Sequence, residues 1–341
     1  MLTMDVFKQD AFSAISLSAA VDKLDYVPDT ISKIDGLFVP DPVRSEAIWI
    51  EERSTGAVIL PFSPRGSAPH QTGGDGRKAR AFKTLRYGDA SRITASELLG
   101  IRSFGSEVNL KDVQEEVARR QQKIKQNNQL TKEYHKFNCI TGARVLDADG
   151  TVMYDWASEF GQSIPAEIDF DLDNASPANG VIRKKANAIR RTMARNLKGV
   201  GIPTSVVGLC GDAFFDDLTS HPEVEKTYLN WAAAQDLRNG HGREWSTFRF
   251  ANIEWVNYRG TDDGTFGIGA DKVKFFPVGA GIFRWAMSPG ERFEHVGTLG
   301  QDNYSNMVLD KDRDSWADVE VYSYPLPVCT MPSALAQGRR T

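Results

Sequence analysis

Hydrophobic positions change their spacing along the chain, and each change marks an element. Between residues 46 and 90, β-branched and aromatic residues gather in short runs, "AIWI", "AVILPF" and "AFKTLRY". Such runs favour strands, and their succession predicts a long β-hairpin. "GARVLDADGTVMYDW" predicts a second hairpin, turning at Asp149-Gly150. "SVVGLCG" reads as a buried strand and "TFRFANIEWVNYRG" as paired strands, with "KVKFFPVG" and "GIFRWAM" as further short ones. "WADVEVYSYPLPVCTMP" reads as one long terminal strand on which Val319, Val321 and Tyr324 alternate.

Helical spacing takes over between these runs. Residues 109 to about 137 predict one long helix. Asn109 can cap it, Asp112, Glu115 and Glu116 suit its first turns, Lys132, His135 and Lys136 suit its last, and Gly142 follows shortly after. Its apolar positions are sparse: Val113, Val117, Ile124, Leu130, Tyr134 and Phe137. That stripe is too thin for a core helix. The expectation is a solvated spine with one buried seam, or a helix that meets partners along its polar sides. "VIRKKANAIRRTMARNL" predicts a basic helix whose apolar face is Val181, Ile182, Ala186, Ile189, Met193 and Leu197. "GDAFFDDLTSHPEVEKTYLNWAAAQDLR" predicts a helix, a break at Pro222 and a second helix. Residues 1 to about 45 lack a core pattern. "DAFSAISLSAAVDKL" suits a short amphipathic helix, and the proline-bearing stretch after it is extended. This is either an arm lying on something else or a poorly ordered terminus. No internal repeat is found, and the class is α+β.

One segment stands outside these patterns. "PRGSAPHQTGGDGRKAR", Pro64 to Arg80, interrupts the long hairpin with almost nothing apolar. It cannot bury enough surface to offset its ordering entropy. Either it is disordered or something outside the fold holds it, and loops of this length are usually functional or disordered.

Composition narrows the classes. The 341 residues are 41% hydrophobic and 25% charged, which suits a globular chain of one large or two smaller domains. The net charge of -4 argues against a dedicated nucleic-acid binder. Cys139, Cys210 and Cys329 lie far apart without CxxC spacing, so buried free thiols in a reducing cytosol are expected. Acid in "MLTMDVFKQD" does not suit a signal peptide, and no apolar run approaches the ~20 residues of a membrane span. A soluble protein made in a cytoplasm is expected.

Catalytic signatures are missing. The chain has no GxxxxGK[ST], HExxH or GxSxG. Gly73, Gly74 and Gly76 do not lead a strand into a helix, as a phosphate loop must. "DADG" lacks the glutamate that closes a calcium loop and reads as a hairpin turn. The histidines are not spaced as local metal ligands. "DFDLD" at Asp169 to Asp173 reads as a solvated acidic turn. No enzyme, metal or cofactor is expected. Two basic features remain. Arg183, Lys184, Lys185, Arg190, Arg191 and Arg195 share one helix, where a solvated face is the ordinary reading. Arg65, Arg77, Lys78 and Arg80 sit on loop backbone without local support, and acid on a neighbouring chain would order them. These features describe an interaction protein whose arm, loop and thin-striped helix need partners.

Longer stretches carry a resemblance. "PRGSAPHQTGGDGRKARAFKTLRYGDASRITASELLGIRSFGSE", "GARVLDADGTVMYDWASEFG", "CGDAFFDDLTSHPEVEKTYLNWAAAQDLR" and "YPLPVCTMP" resemble, in order, the lambda-type phage major capsid protein E family from about residue 25 to 333. The resemblance implies the Hong-Kong-97-type capsid fold. An N-terminal arm would span about 1–45 and an extended loop 46–92. A P-domain would take 93–180 plus 311–341, with its spine helix at 109–137, and an A-domain 181–310. It further implies hexamers and pentamers closing an icosahedral shell around double-stranded DNA, in a virion assembled in the host cytoplasm. Portal, scaffold, maturation protease and a decoration protein are the partners it suggests. Arg65, Gly66, Gly73, Gly74, Gly76, Arg77, Lys78 and Arg80 become inter-subunit contacts at the loop tip. Arg119, Arg120, Lys123, Lys125, Arg183, Lys184, Arg190 and Arg191 become inter-subunit or DNA-facing positions. An encapsulin-like or domesticated prophage shell is the variant reading, and a nucleic-acid-binding protein the more distant one.

Overall fold

The computed structural model describes residues 30–53, 77–100, 110–174, 176–229, 247–258, 260–261, 266–313 and 315–341. Among the described residues the strands fall into five sheets. The largest has six strands in the order β7-β16-β11-β8-β10-β9. These are β7 (Ile168–Asp169), β16 (Ala336–Arg339), β11 (Lys272–Val278), β8 (Ser205–Cys210), β10 (Ile253–Asn257) and β9 (Thr247–Phe250). Helices α4 (Val181–Asn196), α5 (Asp212–Ser220) and α6 (Pro222–Leu229) belong to the same body. The apolar face of α4 is the expected one except at Val181, which is only half-buried, with Ile182, Ala186, Ile189, Met193 and the following Leu197 buried. Phe170, Phe214, Trp255 and Phe275 fill the centre, their ring centroids 5.3 to 6.2 Å apart. Strands β9 and β10 meet through Ala251 and Asn252, both at left-handed φ of 51° and 59°. A two-residue hairpin demands that conformation.

A second sheet, β13-β14-β4, joins β13 (Tyr304–Leu309), β14 (Trp316–Ser323) and β4 (Tyr87–Thr94). Helix α1 (Ala95–Gly100) follows β4, and α2 (Leu110–Gly142) lies on the sheet through Val117 and Ile124 against Ile93, Ala317, Val319 and Val321. A third sheet places β12 (Phe283–Met287) between β1 (Phe38–Pro42) and β15 (Pro325–Cys329), with β1 parallel to β12. Two ribbons complete the set: β2 (Ala47–Arg53) with β3 (Arg77–Lys83), and β5 (Arg144–Leu146) with β6 (Val152–Asp155). Helix α3 (Trp156–Glu159) continues from β6, capped by the Asp155 carboxylate.

The structure differs from the sequence reading in four ways. The long helix runs on to Gly142, and the left-handed position that ends it is Ala143, at φ 50°. Its seam is buried through polar residues as well, since Gln121, Asn128, Lys132 and Glu133 are all covered while Leu130 is 46% exposed. The terminal strand is two strands in two sheets. Ala317, Val319, Val321 and Ser323 alternate inward on β14, and after Tyr324 every position of β15 is buried. The sheets also cross the expected domain limits. Strands β12 and β13, from the 181–310 segment, pair with β1, β15 and β14, while β16, from 311–341, joins the six-stranded sheet.

Candidate assembly surface

The ribbon β2–β3 is the root of the long hairpin. Its strands pair antiparallel from Ala47 opposite Lys83 to Arg53 opposite Arg77. Ile48, Ile50 and Phe82 face inward, while Trp49, opposite Ala81, is 65% exposed. A two-stranded ribbon is marginal in water by itself. This one is clamped by aromatic rings from the second ribbon and α3. Phe82 meets Trp156 edge-on at 5.1 Å, and also Tyr154 and Phe160. Trp156 stacks between Tyr154 and Phe160, and its indole N–H donates to the Pro327 carbonyl at 3.1 Å. The Tyr154 hydroxyl donates to the Lys83 carbonyl at 3.0 Å. The ribbon is therefore fixed to the body by these contacts.

The described part of the expected arm is fixed as well. The Glu133 carboxylate on α2 accepts the Ile31 N–H at 2.7 Å and the Ser32 N–H at 3.3 Å. Lys136 donates to the Ser32 hydroxyl and sits over the Phe38 and Trp285 rings. One turn back, Lys132 binds Asp302, whose other oxygen accepts the Trp285 indole N–H at 3.1 Å. The polar seam of α2 thus holds the arm and the β12–β13 connection to the spine.

Chemistry is quiet over this surface. Among the described residues, no three His, Cys, Asp or Glu side chains gather closely enough to hold a metal. No helix among them is long and apolar enough to cross a membrane. Cys139, Cys210 and Cys329 are buried free thiols, and burial pushes Cys329 up to about 12. An open groove of about 710 Å³ runs beside α3. Its Lys274, whose pKa burial lowers, donates to the Gln337 side chain at 2.6 Å.

A model of the phage major capsid protein E family matches residues 13–340. The chain belongs to that family. Two major capsid proteins are similar to it over nearly their whole lengths. That of Pseudomonas phage KPP10 is 25% identical, covering 89% of this chain and 90% of its own. That of Salmonella phage Felix O1 is 26% identical and covers 96% of each. The fold resembles the capsid of Myoviridae phage XM1, with a TM-score of 0.51 at 8% identity over 94% of this chain and 95% of that one. It also resembles a prophage capsid-protein candidate from E. coli CFT073, with a TM-score of 0.55 at 13% identity over 96% and 99%. The fold is the α+β Hong-Kong-97 type, and the chain is a structural capsid protein.

The basic positions of this capsid protein do not act alike. Arg65, Gly66, Gly73, Gly74 and Gly76 lie outside the described residues. Arg77 opens β3, and Lys78 is exposed opposite Glu52. Arg80, expected to seek acid on a neighbour, has Glu159 of its own chain, binding its carbonyl and approaching its carboxylate at 3.6 Å. Arg120, expected at an inter-subunit or DNA-facing position, turns back to the Arg92 carbonyl, to Ser91 at 3.2 Å and to Glu97 at 2.9 Å. It is an internal brace between α2, β4 and α1. Arg119 and Lys123 are exposed and Lys125 is half-buried. On α4, Lys184 and Arg191 are exposed and Arg190 is half-buried. Arg183 reaches Thr227 at 3.5 Å and lies over the Phe250 ring. The start of α4 is held by Glu223 from α6, which accepts the Ile182 and Arg183 N–H groups at 3.0 and 3.2 Å. Negative charge there also suits the helix dipole.

The Phe82–Trp156 clamp and the Glu133 tether were missed in the sequence. Each pairs residues far apart in the chain. The only local signal was a density of aromatics in "YDWASEF", which helical or strand spacing does not interpret.

Proposed function

We propose that this chain is the major shell subunit of a tailed phage, assembling as hexamers and pentamers into an icosahedral head around double-stranded DNA. Residues 1–45 act as the arm and 46–92 as the extended loop. The six-stranded sheet with α4, α5 and α6 is the A-domain. The β13-β14-β4 sheet with α2 is the core of the P-domain. The observation that carries this reading is the clamped ribbon. A body that fixes the root of a hairpin so firmly, and leaves Trp49 exposed on it, is built to present that hairpin to something else. In a shell the loop lies across a neighbour, and Arg65, Arg77 and Lys78 pair with acids there. Gly66, Gly73, Gly74 and Gly76 let the backbone follow that surface. Each exposed pair contributes about 0–1 kcal/mol, multiplied over the copies in a closed shell. Contact with DNA is weak and unspecific, as the net charge of -4 favours. The role is structural, without catalysis. Assembly takes place in the host cytoplasm, where portal, scaffold, maturation protease and decoration protein are its partners.

Negative-stain electron microscopy of the purified chain, expressed alone and with its neighbouring genes, tests the reading. Closed shells, capsomer rings or tubes are expected. Small monodisperse particles under both conditions would overturn it.

A further inference from the structure

The connection between β12 and β13 carries Phe293, the most exposed large apolar side chain among the described residues, beside an open hole. Phe293 is 100% exposed, Val296 74% and Leu299 49%. Their exposure is built in. The Phe293–His295 turn is closed by the His295 N–H on the Arg292 carbonyl at 2.9 Å and by Thr298 on the His295 carbonyl. Farther on, Gly300 donates to the Val43 carbonyl at 2.9 Å and Gln301 to the Tyr304 hydroxyl at 2.8 Å. A Cβ at Gly290 would stand 2.7 Å from the His295 ring, and one at Gly300 only 2.0 Å from the Met287 carbonyl oxygen. The connection is braced, and it holds three apolar groups in water, which is unfavourable unless something covers them.

The hole lies next to this knob. It has a volume of about 180 Å³, and its walls include Arg86, His295, Tyr304, Tyr322 and Tyr324. Water alone would fill it with about six molecules at liquid density. Arg86 lies over the Tyr322 ring at 4.7 Å, and Tyr304 meets Tyr324 edge-on at 5.8 Å. Aromatic edges and a guanidinium face suit a phenyl ring. Arg292 and His295 line the hole, while Phe293 between them points fully into solvent. A knob and a hole so placed cannot satisfy each other within one chain. Copies related by rotation about an axis beside the patch can, each knob entering the next copy's hole.

The geometry points to Phe293 as the anchor of a contact between copies of this chain, seated in the Arg86–Tyr322–Tyr304 hole of the adjacent subunit. The occupant is a second copy because the chain is a capsid protein, and the inference rests on that reading. The charges beside knob and hole are matched within the chain, Arg292 with Glu294 at 3.5 Å and Arg86 with Glu291 at 3.4 Å, so two copies can meet there without opposing an unpaired charge. Val296 and Leu299 complete the covered patch.

The test replaces Phe293 with the photo-crosslinker p-benzoylphenylalanine in the full chain. Assembled particles are expected to give crosslinked dimers whose linked peptide contains Arg86 or Tyr322, absent from dissociated subunits. Phe293→Asp is expected to lower particle yield about tenfold with an unchanged circular dichroism spectrum, as for an interface anchor, and Phe293→Tyr to retain it. Shells that form normally from Phe293→Asp, or crosslinks that fall outside the hole or on another protein, would overturn this inference alone. A wild-type chain that forms no assemblies would overturn the capsid reading and this contact together.

Discussion

The carboxylate of Glu133 accepts the backbone N–H of Ile31 at 2.7 Å, tying the segment before β1 to α2 across 102 residues. Glu133 is 7% exposed and Ile31 fully buried. Glu133→Ala leaves the Ile31 and Ser32 N–H groups without their acceptor in a covered place, a loss of about 1–3 kcal/mol. Urea unfolding of the dissociated subunit should show a lower midpoint, with faster hydrogen exchange at residues 30–37. A midpoint equal to wild type would mean that the arm is held by its apolar contacts alone.

Phe82 fixes the ribbon by its ring contacts with Trp156, Tyr154 and Phe160. Truncating a buried phenylalanine costs about 3–5 kcal/mol. Phe82→Ala should therefore speed amide exchange in Ala47–Arg53 and Arg77–Lys83 while the six-stranded sheet keeps its protection. Equal loss of protection in both places would show that the ribbon and the sheet unfold as one unit.

Arg120 and the cations Arg77 and Lys78 of β3 allow structural charge and the proposed assembly charge to be tested apart. Arg120→Ala removes a brace on Glu97, Ser91 and the Arg92 carbonyl, so the lone subunit should melt earlier. Charge reversal at Arg77 and Lys78 should leave subunit melting unchanged and lower the heat resistance of shells. It should do so more than reversal at Arg190 and Arg191. Scanning calorimetry of subunits and of shells reads both, and comparable losses from the two reversals would remove the special role of the loop.

Two histidines should make the subunit acid-sensitive. Burial lowers the pKa of His221, with Glu223 opposing and Lys185 adding to the shift, and burial lowers that of His135 against the pull of Asp147. The Nδ1 of His221 accepts the Glu223 N–H at 3.2 Å, so the neutral ring is the fitted form. The unfolded chain binds protons more readily at both positions. Stability is full above the unfolded value of about 6.5 and is lost as pH falls through the lower folded values. Between pH 7 and 5 the Tm of the wild type should fall more than that of His221→Asn combined with His135→Gln. Parallel curves would show that the acid response lies elsewhere.

The sequence by itself determined the elements whose signals are local. Asp149-Gly150 turned the β5–β6 hairpin because Gly150 tolerates its φ of 85°. The face of α4 followed from 3.6-residue spacing, and Pro222 divided α5 from α6. The family was legible because long, ordered stretches were, although no single residue in them has a catalytic reason to be there. Tertiary structure decided what distance along the chain conceals. It split the terminal run at Tyr324, since β14 packs one face on α2 and β15 is covered throughout. It buried Lys132 and Glu133 on a helix whose apolar stripe looked too thin, because their partners Asp302 and Ile31 lie elsewhere in the chain. It turned Arg80 and Arg120, which read as free cations, onto acceptors of their own subunit. A turn or an apolar face is written in neighbouring residues. The partner of a charge is set by packing between distant segments, and only the folded chain brings those together.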